Sequence, residues 1–346
     1  MANANEPMLR PSFGRPHVVI LGAGASRAAF PNGDKHGRRL PLMSDLVEAL
    51  DLGRVLEEHG FEAPKADFEA LYSMLDTSGQ HQELVARIEK AVLEYFADLE
   101  VPDTPTLYDY LVLSLRPKDL IATFNWDPLL WQVLCRNARR LSPEVLPRVL
   151  YLHGNVAIGY CGKHTPATIA NRKTRCRKCG SLLAPSRLIY PVTQKNYDAH
   201  PAVSASWREL QGQLKHAFIL TIFGYRAPET DVEAIELMKQ ARGDPNSKER
   251  DLDQIEIIDI RDEGELYRNW EPFTCRDHCS LPRDFYQSLA ALHPRRSCED
   301  FWEAITNLNL QEERPMPRGA DWAELDAWLA PLLEQEREFV KDSKNG

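Results

Sequence analysis

The sequence predicts a Rossmann-like, doubly wound α/β fold: a parallel sheet with a helical insert, a small zinc-binding module and a helical C-terminal extension. Three observations carry that expectation. Short apolar runs rich in β-branched residues recur at 18–21, 119–124, 149–152, 217–223 and 255–260, the texture of strands buried on both faces. Helical periodicity fills the intervals, and strands alternating with helices imply parallel pairing. The first run breaks abruptly into Gly22-Ala23-Gly24-Ala25-Ser26, a strand-to-turn junction of the kind that opens nucleotide-binding folds.

That junction admits two readings. Glycines let a phosphate approach main-chain N–H groups without a Cβ in the way, or they make a tight turn with no ligand. A full dinucleotide fingerprint would place its third glycine at position 27, where this chain has Arg27, so the ordinary dehydrogenase motif is not matched. Residues 27–40 read as a loop. Ser44 offers an N-cap for a helix over 45–56, and further helices are expected over 67–76, 80–98 and 106–115. Together they form a helical insert, about 41–116, that a minimal βαβ unit does not need. Beyond the second strand come a helix over 128–140 and the strand 149–152. Periodicity then disappears over 158–186. Strand character returns at 187–190, followed by helices over 203–214 and 229–242, with Glu229 or Thr230 near the start of the latter. From about 284 the chain is helical and amphipathic, broken at Pro315-Met316-Pro317, and residues 293–346 form the C-terminal extension.

Composition excludes some classes. A net charge of −9 argues against a protein built to grip nucleic acid, which wants a basic surface. No run approaches the length of a membrane span. Residues 1–15, proline-containing and without an apolar core, read as a loose leader rather than a signal peptide, which points to the cytoplasm. Seven cysteines in such a chain fit metal binding or free thiols better than a disulfide framework.

In a parallel sheet, ligands bind beyond the carboxyl ends of the strands. Four strands end there in chemically capable residues: Gly22–Ser26, Asn125–Asp127, His153 and Gly224–Tyr225. Asn125 can hold a sugar hydroxyl or a water, and Asp127 can orient the site; Asp127 can equally cap the helix that starts at Pro128. His153, followed by Gly154, can act as a general base toward a ribose hydroxyl, or sit as a satisfied structural histidine.

The most specific local signal is Cys161-Gly-Lys-His164, eleven residues, then Cys176-Arg-Lys-Cys179. Two such knuckles supply four ligands for a closed, structural tetrahedral zinc site. Cys275-Arg-Asp-His278-Cys279 is a looser cluster with no fourth ligand, and buried thiols explain it better.

The order Gly-Ala-Gly-Ala-Ser, Thr123-Phe-Asn-Trp-Asp127, Leu-His-Gly, paired knuckles and Gly-Tyr resembles the sirtuin fold family over roughly residues 16–262. More specifically it resembles the bacterial sirtuin-like proteins of antiphage defence. The resemblance implies a sirtuin-like NAD-binding domain over 16–292 and attack on the nicotinamide–ribose bond of NAD+. By position, Gly22, Ala23, Gly24 and Ser26 would meet the phosphates and ribose. Asn125 and Asp127 would hold the nicotinamide ribose and a water, His153 would be the base, and Gly224 and Tyr225 would lie under the cofactor. Asp259, by its carboxylate and its place at the last strand end, can bind the adenosine ribose. Three departures stand out: Arg226 after Gly-Tyr where a serine is frequent, Asp259 near where an Asn is common, and Ala29-Phe-Pro-Asn-Gly-Asp34 in place of the deacylase loop pattern. The last puts peptide deacylation in doubt more than NAD binding. The implied activity is an NAD+ glycohydrolase that depletes NAD in infected cells. It would be held off by a trigger, a homo-oligomer or a partner such as a HerA-type ATPase or a short Argonaute. The alternatives are a protein deacylase or ADP-ribosyltransferase, and a non-catalytic NAD or ADP-ribose sensor. Trp302, Trp322 and Trp328 serve either as assembly anchors or as core packing.

Overall fold

The computed structural model describes residues 14–61, 67–164, 169–171, 174–192, 195, 197–227, 231–243, 253–271, 278–307 and 313–345. Six parallel strands form the main sheet: β1 His17–Leu21, β2 Leu120–Thr123, β3 Arg148–Tyr151, then β7 Ile219–Phe223, β8 Gln254–Ile258 and β9 Cys279–Ser280. Their order is β3-β2-β1-β7-β8-β9. The chain thus builds outward from one side of β1, returns, and builds outward from the other. The β1/β7 boundary is the topological switch point, where doubly wound sheets open a crevice. Between β3 and β7 the strands β4 Ile158–Tyr160, β5 Ile169–Asn171 and β6 Ala184–Pro185 make a separate antiparallel sheet.

The apolar runs become central strands because both faces are covered. Val19 and Leu21 face one core with the insert helices, and Val18 and Ile20 face the other. α1 Ala23–Ala29 follows β1 directly, and the insert comprises α2 Leu46–Ala49, α3 Gly53–Glu57, α4 Phe68–Ser78, α5 Gln82–Ala97 and α6 Leu107–Ser114. On α5, Leu84, Ile88, Val92 and Phe96 fall on one face at four-residue spacing and are all buried, each burial contributing about 1.5–3 kcal/mol. After β2 comes α7 Leu129–Arg140, and the opposite face of the sheet carries α8 Pro201–Leu214, α9 Val232–Arg242 and α10 Glu263–Trp270. The C-terminal helices are α11 Leu289–Leu292, α12 Ser297–Asn307 and α13 Trp322–Asn345. Trp302 packs with Phe218 in a small core, while Trp322 and Trp328 lie partly buried against the insert side. Arg295 clamps α13 by an ion pair to Glu336 at 2.5 Å.

The structure corrects two expectations and adds elements to them. The helix expected over 45–56 is split into a 3-10 turn, α2 and α3, because Asp51 takes a left-handed φ of 49°. Residues 187–190 form no ladder; the apolar pattern there reflects burial of Leu188 and Ile189 in an extended segment. β4, β5 and β6 of the small module had not been expected, nor had β9 and α10; α10 is too polar for an apolar stripe to reveal, although Trp270 is fully buried. Of the looser thiol cluster, Cys279 lies in β9 with its thiol pushed up by burial to about 11, His278 precedes it, and Cys275 lies outside the described residues.

A polar ladder crosses the middle of the sheet. Buried His17 pairs through Nδ1 with Ser297 Oγ at 2.8 Å and through Nε2 with Thr221 Oγ1 at 2.7 Å. Thr221 donates in turn to Glu256 Oε2 at 2.9 Å. Burial pulls the His17 imidazole down to about 3, aided by Lys118, and pushes the Glu256 carboxyl up to about 7.

Candidate active site at the carboxyl ends of the central strands

Two turns interlock at the switch point. The Gly24 N–H donates to Gly224 O and the Gly22 N–H to Phe223 O, both at 3.0 Å. A Cβ on Gly22 would lie 2.5 Å from both Gly224 O and the Tyr225 Cα. Gly224 has a φ of +61° and sits against the backbone of Gly24 and Ala25. The glycines are therefore required by one turn crossing another, and the N–H groups of Gly22 and Gly24 are occupied within the protein. The Ala23 N–H has no partner among the described residues.

Beside this crossing lies a buried polar knot. Asn125 Nδ2 donates to Gly22 O and to Ser26 Oγ, each at 2.9 Å, and lies 3.3 Å from the Tyr108 hydroxyl. Because Gly22 O can only accept, these contacts fix which end of the amide is nitrogen. Asn125 Oδ1 has no partner among the described residues and is the end of the amide left for a ligand. Ser26 gives its one proton to Asp127 Oδ2 at 2.7 Å. Tyr108, also at 2.7 Å, must then donate to Ser26. Asp127 Oδ1 accepts the Leu129 N–H at 3.0 Å, so Asp127 satisfies the first N–H of α7 from one residue before its N-cap, Pro128. Both its oxygens are engaged by the protein, and burial raises its carboxyl above the ordinary range.

The imidazole of His153 belongs to a second cluster, reached across Phe124. The Phe124 ring stacks on Tyr225 at 4.2 Å and meets His153 edge-on at 4.7 Å. His153 Nε2 lies 3.0 Å from the Tyr197 hydroxyl and 3.9 Å from Asp231 Oδ1. Asp231 also takes Lys195 Nζ at 2.5 Å and the Tyr225 hydroxyl at 2.8 Å. Burial lowers His153 to about 4, with Asp231 opposing and Lys195 assisting, so the ring is neutral near pH 7. Burial alone would raise Asp231, but His153, Lys195 and the Tyr225 hydroxyl outweigh it and hold the carboxyl below its usual range. Glu69, at the start of α4, feels the same charges; burial, Asp67 and Asp231 push it up to about 7. Gly154 follows at φ +76° with a Cβ position filled by Arg187 O. Next, Asn155 Nδ2 donates to Asp127 O at 2.5 Å, bracing the two strand ends together.

A cleft of about 630 Å³ runs past this cluster, between Tyr72 and Glu89 of the insert and the extended segment 185–192, with Lys195 on its wall. Asp259, at the end of β8, is held by Arg261 through both oxygens, at 3.1 and 2.8 Å.

The structure therefore brings Gly22, Ala23, Gly24, Ser26, Asn125, Asp127, Gly224 and Tyr225 together, with His153 one ring away, and Asp259 follows Ile258, whose carbonyl accepts the Gly224 N–H at 3.1 Å. Sequence reasoning missed Tyr108, Lys195, Tyr197 and Asp231. Only Asp231 left a trace, as a polar residue near a helix start.

In the small module, His164 Nδ1 lies 3.5 Å from Cys161 Sγ and from Cys176 Sγ, and Cys161 Sγ lies 3.6 Å from Cys179 Sγ. All four donor atoms fall within 4.8 Å of one another. Tetrahedral zinc with Zn–S of about 2.3 Å and Zn–N of about 2.0 Å places its ligand atoms roughly 3.5–3.8 Å apart, so this Cys3His set fits the ion. No described helix is long and apolar enough to cross a membrane.

No protein-family model matches the chain, and no curated protein matches it. Solved structures do. A Sir2 protein bound to an acetylated peptide is 14% identical, covers 87% of this chain and 96% of its own, and gives a TM-score of 0.38. A Sir2 complex with a p53 peptide and NAD+ is 15% identical over 86% of this chain and 95% of its own, with a TM-score of 0.39. A third Sir2 structure, holding the inhibitor EX-527, 2′-O-acetyl-ADP-ribose and a deacetylated p53 peptide, is 15% identical over 87% and 97%, with a TM-score of 0.38.

Proposed function

We propose that this chain is a sirtuin-like NAD+ glycohydrolase, cleaving NAD+ to nicotinamide and ADP-ribose. One observation carries the reading: an asparagine fixed through its nitrogen, with its oxygen open, stands at a strand end one ring away from a neutral buried histidine. NAD+ would lie over the switch point, along Gly22, Ala23, Gly24, Ser26, Gly224 and Tyr225, with Asp259 toward the adenosine end. When the C1′–N bond breaks, its electron pair passes to the pyridinium nitrogen and nicotinamide leaves neutral. The sugar becomes oxocarbenium-like. A water held by Asn125 Oδ1 attacks C1′, and its proton passes by way of a ribose hydroxyl to His153. Asp127 and Ser26 act as positioning residues behind Asn125. Cys161, His164, Cys176 and Cys179 would hold a zinc ion whose work is structural, since four protein ligands leave no open position.

In this reading residues 16–292 are the catalytic domain, 293–346 an extension suited to assembly, and the setting a cytoplasmic antiphage system. A homo-oligomer or a HerA-type ATPase would then restrain NAD consumption. The test is nicotinamide release from NAD+ without peptide, by the pure chain and beside its neighbouring gene products; Asn125→Ala and His153→Ala should each abolish it. Release that requires an acylated peptide would refute hydrolysis and favour the second reading, a deacylase. The cleft of about 630 Å³ beside Lys195 is the observation behind that alternative. NAD binding without turnover under every condition would make the chain a sensor.

A further inference from the structure

On the other side of Val156 from the cleft beside Lys195 lies a second cleft of about 640 Å³, bounded by α7, the 97–103 segment and Trp322 at the head of α13. Its volume falls within the range of small-molecule sites. Three arginines of α7, Arg136, Arg139 and Arg140, line it at three- and four-residue spacing, and so share one face of the helix. Two are anchored. Arg136 is held by Asp109 and donates to Pro102 O at 2.6 Å; Arg140 pairs with Asp326. Both guanidinium groups stack on the Trp322 ring, at 4.8 and 3.8 Å.

What remains is unmatched. Arg139 is exposed and has no acidic partner among the described residues, and Arg140 Nη1 is shielded from water with no acceptor among them. The acids nearby are taken: Asp109 by Arg136 and Asn137, Asp326 by Arg140, and Asp103 by Lys35 at 2.8 Å. N-terminal to the arginines on the same helix, Trp131 is half-buried and stacks on no ring or guanidinium among the described residues. In a chain of net charge −9, this is a local excess of positive charge beside an open indole face.

We propose that this cleft is a second ligand site, for a small organic phosphate that carries a planar ring, of the nucleotide class. The phosphate pairs with Arg139 and the Arg140 Nη1 side, and the ring stacks on Trp131. The site can also report to the strand ends. Pro128 and Val156 line it; Asp127 and Asn155 are their immediate neighbours and are joined by the 2.5 Å hydrogen bond.

The test uses ADP as the probe on the full chain. Calorimetric titration should show binding that weakens at least tenfold in Arg139→Glu and in Trp131→Ala, while urea unfolding shows both variants folded. Photolabelling with 8-azido-ADP should mark the peptide containing Trp131, in wild type and equally in Asn125→Ala. The proposal is overturned if ADP does not bind, if neither variant weakens it, or if labelling maps to the Gly22–Ser26 turn and disappears in Asn125→Ala. None of these readouts requires NAD cleavage, so failure here is distinguishable from failure of the glycohydrolase reading.

Discussion

Replacing Ser26 by alanine removes a single oxygen from the centre of the knot and leaves the fold of α1 untouched. The Ser26 hydroxyl is buried and has three partners: it donates to Asp127, accepts from Asn125 and accepts from Tyr108. Without it, Asp127 Oδ2 loses its donor and the Tyr108 proton loses its acceptor. Each orphaned buried group costs about 1–3 kcal/mol. In the long contact that remains, Tyr108 only accepts from Asn125, so its proton stays orphaned, and Ser26→Ala should lose about 2–6 kcal/mol of stability. Asn125 retains Gly22 O as an acceptor, so its amide is loosened rather than released. Nicotinamide release should therefore fall about 10- to 100-fold, equivalent to about 1.4–2.7 kcal/mol, well short of the loss in Asn125→Ala. Urea midpoints at constant m-value measure the first quantity, and steady-state rates the second. A variant with unchanged midpoint and unchanged rate would show that the knot positions nothing.

Three further outcomes are expected. The His153 imidazole, pulled down by burial to about 4, should place the acidic limb of the rate profile near pH 4 rather than in the ordinary imidazole range, and Asp231→Asn should move it lower still, because Asp231 opposes the shift; a limb near 6.5 would remove His153 from the base role. Metal analysis should find one zinc per chain, lost on chelation and in Cys176→Ser, with limited proteolysis then cutting first within 158–186; intact protein without zinc would overturn the site. In the sheet ladder, Glu256 holds its proton more tightly when folded, so its contribution falls as pH rises from about 4.5 to 7, while His17 binds its proton less tightly, so its contribution rises with pH from about 3 to 6.5. The slopes oppose one another between about 4.5 and 6.5. Glu256→Gln should therefore unmask a rise in stability of up to about 1.4 kcal/mol per pH unit there, read by urea unfolding at pH 5 and 6.5; a flat profile would refute the coupling.

How much of this was legible depends on where each signal resides. Strands buried on both faces write themselves as uninterrupted apolar runs, so β1, β2, β7 and β8 could be read directly, and parallel topology then carried Asn125 and His153 to one edge. The knuckles were legible because ligand spacing is a local property. Tyr108, the neighbours Lys195 and Tyr197, and Asp231 come from three separate segments that only the closed fold brings together, and no periodicity marks them. Asp231 sits where a helix cap would be expected, yet its carboxylate serves Tyr225 and Lys195 instead. The Gly22-Ala23-Gly24 turn misled in a different way. Its glycines imply close approach, and close approach there is; the approaching group is Gly224 of the same chain.

That crossing also fixes when the site can exist. Residues 22–24 lie about two hundred positions ahead of 223–225, and the contact between them closes only after β7 has paired with β1. Such long-range closure comes late, because its loop entropy must be offset by contacts made elsewhere first. A ribosome that has released the first two strands holds Asn125 and Ser26 but not the floor beneath them, and Tyr225 and Asp231 have yet to emerge. A half-made chain therefore lacks the assembled site, and its chemistry arrives only once the chain has been made past Asp231.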